Sequence, residues 1–61
     1  MRRDEALRRL PESYALALRL RDEGLNDGAI SRVIDIDSLA VPAFMDLAER
    51  KLSQLLEGRE G

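Results

Sequence analysis

Ser13, Ser31, Ser38 and Ser53 are the hydroxyl side chains of this chain that could serve as a nucleophile, and nothing stands ready to activate them. There is no histidine and no cysteine. A serine hydroxyl needs a positioned base, and a thiolate, zinc finger or disulfide needs residues that are missing, so these chemistries are excluded. Twelve Asp and Glu residues remain. Paired carboxylates do acid–base work only in a pocket that perturbs them, and a thin helical domain offers none. Asp35 and Asp37 suggest calcium, yet a twelve-residue calcium loop starting at Asp35 requires Gly at position 40 and Glu at 46, where the chain has Ala40 and Asp46. Turn residues are the better description. No glycine-rich phosphate loop is present. The expectation is therefore a protein that is not an enzyme and carries no cofactor or metal.

Binding chemistry is better represented. Ten Lys and Arg against twelve acids leave a net charge of -2, which gives no global attraction to nucleic acid or anionic lipid. Arg2, Arg3, Arg8 and Arg9 do cluster, as do Arg50 and Lys51. The first cluster suits nucleic acid, an acidic partner, or a solvated helix face with Asp4–Arg8 and Glu5–Arg9 pairs at i,i+4 spacing.

These groups must be carried by helices. The chain is 44% hydrophobic but only 3% aromatic, Tyr14 and Phe44 being the whole aromatic set, so Leu, Ile, Val and Ala build the core. A 61-residue chain forms one domain. At that length only about 60% of the unfolded surface is buried, and stability is thin without a partner or second copy. No apolar run approaches the roughly 20 residues that span a bilayer, so a soluble, cytoplasmic protein without membrane contact is expected.

Apolar spacing predicts a first helix from Arg3 to Leu10, with Ala6, Leu7 and Leu10 inward. Pro11 ends it and starts a second, to about Glu23, with Tyr14, Ala17, Leu18 and the stem of Arg21 along one side and Leu16 and Leu20 widening it. Gly24 is a left-handed stop and Leu25 its apolar contact. Asn26 reads as the N-cap of a short helix, residues 27–34, burying Ile30, Val33 and Ile34. Asp35-Ile36-Asp37-Ser38 is a turn. Pro42 cannot sit five residues into a straight helix, so either the last helix bends there or, the favoured reading, it starts near Pro42 with residues 38–41 loose or in a single tight turn. It reaches roughly Glu57 with Val41, Met45, Ala48, Leu52, Leu55 and Leu56 in one stripe, and a frayed tail covers 58–61.

Taken together, Leu10-Pro11-Glu12, Glu23-Gly24-Leu25, Ile30, Ile34-Asp35-Ile36, Val41 and Ala48-Glu49-Arg50-Lys51-Leu52 resemble the fourth region of bacterial sigma factors, above all the extracytoplasmic-function type, and the related LuxR-type helix-turn-helix. The likeness covers about residues 5–57. It implies an all-α domain of four helices whose third and fourth form a helix-turn-helix-like unit, with Ile30, Val33, Ile34, Ile36, Val41, Met45, Ala48 and Leu52 as its core.

The departures from that pattern lie on the reading helix, in the turn before it and on the supporting helix. The family's lysine falls on Pro42, its serine on Ala43, its arginines on Phe44 and Leu47, and a further basic site on Glu49; the turn glycine is Asp35, and the acidic pair before the first isoleucine is Gly28 and Ala29. From Ser38 to Glu49 there are acids, Asp46 and Glu49, and no base. Base-edge readout and phosphate neutralisation both need groups this segment lacks.

Phe44 and Leu47 face outward in the family's register, which implies an apolar contact surface; the alternative is that a shifted helix start turns them into the core. The leading expectation is a transcription-associated module working through protein contact, with Ala43, Phe44, Leu47 and Arg50 meeting RNA polymerase, a sigma or anti-sigma factor, or a second copy. The competing one is a DNA-binding regulator gripping backbone with Arg2, Arg3, Arg50 and Lys51. No small-molecule substrate is expected under either.

Overall fold

Acidic Asp4 and Glu5 in the first turn and Arg8 and Arg9 in the last complement the dipole of the opening helix, α1 (Arg3–Arg9), whose Ala6 and Leu7 face inward. In the computed structural model, which describes residues 1–58, α1 is followed by α2 (Glu12–Asp22), α3 (Asp27–Ile34), a 3₁₀ turn (Ser38–Ala40) and α4 (Val41–Leu56). No strand occurs among the described residues, and the fold is all-α. The expected tail covers Gly58, which has a left-handed φ of 77°, and residues 59–61, which lie outside the described residues.

The joints follow from local chemistry. Pro11 stands at the N-cap of α2 with extended backbone. Gly24, at φ 93°, closes α2: its amide donates to the Arg21 carbonyl and the Leu25 amide to that of Leu20, the paired bonds of a Schellman cap. The Asn26 side chain accepts from the Ala29 amide at 2.9 Å, capping α3. Asp35 ends α3 at φ 60°, the one non-glycine residue among those described with a positive φ, and the Ile36 amide donates back to the Ser31 carbonyl. A Cβ there costs about 1 kcal/mol relative to glycine. Asp35→Gly is accordingly expected to raise stability by about 0.5–1 kcal/mol, read as a higher melting temperature in circular dichroism; a lower one would show that the Asp35 side chain contributes more than its backbone costs.

The core is aliphatic. Leu18, Ile30 and Val41 are its largest fully buried side chains, joined by Met45 and Leu52 and by Ala6, Ala17 and Ala48, which have no exposed surface. Small residues at these crossings let helices approach closely. α4 is the hub, packing on α1, α2 and α3 with the face carrying Val41, Met45, Ala48 and Leu52.

Four expectations need correction. Val33 is 51% exposed, and Ser31 takes the buried place instead, its hydroxyl donating to the Gly28 carbonyl at 2.7 Å. α3 has two helical turns, so which face points inward is set by its neighbours, and Ile30 with Ile34 and Ser31 defines it. Leu56 ends α4 exposed, with Leu55 partly buried. On α2 Ala15 is buried, whereas Arg21 is exposed and bonds Glu49 of α4 instead of lying on the core. On α1, Arg3 reaches across to Asp22 of α2 at 2.8 Å, and Asp4 and Arg8 form no pair. Both cross-helix pairs are solvent-exposed and fix orientation more than they stabilise.

Candidate interaction face on the last helix

Because Pro42 lacks an amide hydrogen, it is tolerated only in the first turn of a helix, and here it is the second residue of α4. The chain reaches that start through the 3₁₀ turn. Asp37 caps it by accepting from the Leu39 amide at 2.9 Å, and the Ala40 amide donates to the Asp37 carbonyl at 2.9 Å. Leu39, held in this turn, is 89% exposed, far more than any other large apolar side chain described.

With one side of α4 in the core, its opposite side is exposed and not covered by any other described element. Ala43, Asp46, Leu47 and Arg50 are spaced at three and four residues and so form one contiguous surface, with Leu39 a turn before Ala43. Ala43, Asp46 and Arg50 are exposed and Leu47 is 47% exposed. Neither Asp46 nor Arg50 is engaged in an ion pair with any described residue.

Phe44 departs from this surface. It is half-buried against the core, its ring 4.8 Å from that of Tyr14 and tilted by 32°. Lys51 completes the cluster, its Nζ 5.7 Å from the Tyr14 ring centroid. Phe44 therefore braces α4 against α2 and is only partly exposed. Phe44 is thus turned partly into the core, while Leu47 stays out.

Of the residues suggested for DNA backbone, two have partners within the fold. Arg3 is tied to Asp22 at the end of α2, and Lys51 stands over Tyr14 near its beginning, anchor points separated by eight helical residues or about 12 Å. Arg2 flanks α1, and Arg50 lies on the outer side of α4. An open groove between α1 and α2 is lined by Arg3, Arg8 and Arg19 against Asp4, Asp22 and Glu23, with Leu7 at its base. Its charges balance. Among the described residues no group of three or more acidic side chains is placed to hold a metal ion, and no helix is long and apolar enough to cross a membrane.

Two members of the site were not anticipated from the sequence. Leu39 was foreseeable, because a proline that delays a helix leaves the preceding apolar residue outside it. Tyr14 as the brace of Phe44 was not, since the partners are far apart in sequence. No protein-family model, curated protein or solved structure matches this chain.

Proposed function

We propose that this chain is a small transcription-associated module resembling a sigma fourth region, acting through protein contact made by the outer side of α4. Ala43, Phe44 where it is exposed, Leu47 and Arg50 are the contact residues, with Leu39 extending the apolar surface. The observation that carries the reading is the face itself: a helix in the place where relatives of this pattern read DNA, with exposed Leu39 and Leu47 and no basic residue from Ser38 to Glu49. Burying those leucines supplies binding energy, and Asp46, Glu49 and Arg50 on the rim set orientation. A surface with no surplus of cations gains little from phosphate contact.

The resemblance points to a partner within the transcription apparatus. The tagged chain, titrated against purified bacterial RNA polymerase, sigma and anti-sigma factors, is expected to bind at least one of them, with at least a tenfold loss for Leu47→Asp at an unchanged helical spectrum. Binding indifferent to Leu47→Asp, or no binding to any of these and none to itself, would overturn the reading.

A further inference from the structure

The outer face of α4 carries its own complement, and we infer that its partner is a second copy of this chain, docked antiparallel α4 on α4 across a twofold axis level with Ala48. The inference rests on the proposal above that this face makes protein contacts. Asp46 and Arg50 are both exposed, both without an ion-pair partner among the described residues, and two residues either side of that level. A twofold axis perpendicular to the paired helices brings each Asp46 to the partner's Arg50, so one acid and one base make two reciprocal contacts.

The same operation preserves which flank of the helix is uppermost. Leu47, one residue from the axis, is then displaced from it by about 1.5 Å and meets its own copy. Ala43 comes level with the partner's Ser53, a small residue facing a small one, so the two backbones can approach. Leu39 comes level with the last turn of the other α4.

Size sets the strength. α4 has 16 residues and is about 24 Å long, and one such helix on another covers less than the roughly 800 Å² per partner of a standard interface. The dimer is therefore weak and concentration-dependent, and it raises the melting temperature by mass action.

Sedimentation equilibrium of the whole chain from about 10 μM to about 1 mM tests this. The weight-average mass is expected to climb from 6.9 kDa towards twice that value. Arg50→Glu and Asp46→Arg should each hold the chain monomeric by setting like charges opposite one another, and the double variant Asp46→Arg/Arg50→Glu should restore association. Both positions changed are on the surface, and a helical spectrum verifies folding. A monomer throughout the range, association untouched by the single reversals, or a double variant that stays monomeric would overturn the inference. If the chain is monomeric yet loses polymerase or sigma binding on Leu47→Asp, the broader reading survives without the dimer; submicromolar binding to duplex DNA removes both.

Discussion

Leu18→Ala is expected to leave most of the chain unfolded at room temperature. Leu18 has no exposed surface and sits in the middle of α2, facing the core that α1, α3 and α4 close around. Removing its isobutyl group costs transfer free energy and opens a cavity, together about 2–5 kcal/mol. Domains hold about 0.05–0.15 kcal/mol per residue, and a chain this short sits towards the lower part of the resulting range of about 3–9 kcal/mol. The loss therefore rivals the total. Far-ultraviolet circular dichroism should show most helical signal gone, and a cooperative melt within a few degrees of the parent would show that neighbouring alanines can collapse into the space.

The second large effect separates two residues that sequence spacing places side by side. Phe44→Ala is expected to cost about 1–3 kcal/mol, since it strips half-buried area from the core and the ring contact with Tyr14 that braces α4 on α2. Leu47→Ala, on the solvent side, should fall within about 0.5 kcal/mol. In a domain of this size 1 kcal/mol moves the melting temperature by about 4–8 °C, so the two variants are resolved in thermal melts of dilute protein. Partner binding is expected to reverse the order, falling more for Leu47 than its stability does. Equal destabilisation by both would place Leu47 in the core and remove the contact surface.

The helix joints were legible because each is decided within a few residues. Asn26 has a side chain that reaches its own helix amides, Gly24 permits a positive φ, and Pro42 forbids an earlier start for α4. The stripe of Val41, Met45, Ala48 and Leu52 was equally plain, because sixteen residues give the helical period several repeats. α3 offered too few repeats, and the choice of Ser31 over Val33 as its buried neighbour belongs to tertiary packing. The same holds for Phe44, whose inward turn depends on Tyr14, distant in the chain. What the sequence showed about the site was negative chemistry, a helix without bases; which of its apolar groups look outward became clear only from the packed helices.

Titration of random duplex DNA with the chain at physiological salt addresses the central claim, that the outer face of α4 meets protein and does not read DNA, most directly. Binding no tighter than about 100 μM is predicted, the weak end of non-specific contact, because the segment from Ser38 to Glu49 has no cation to exchange for counterions. Submicromolar binding that weakens on Arg50→Ala would contradict it.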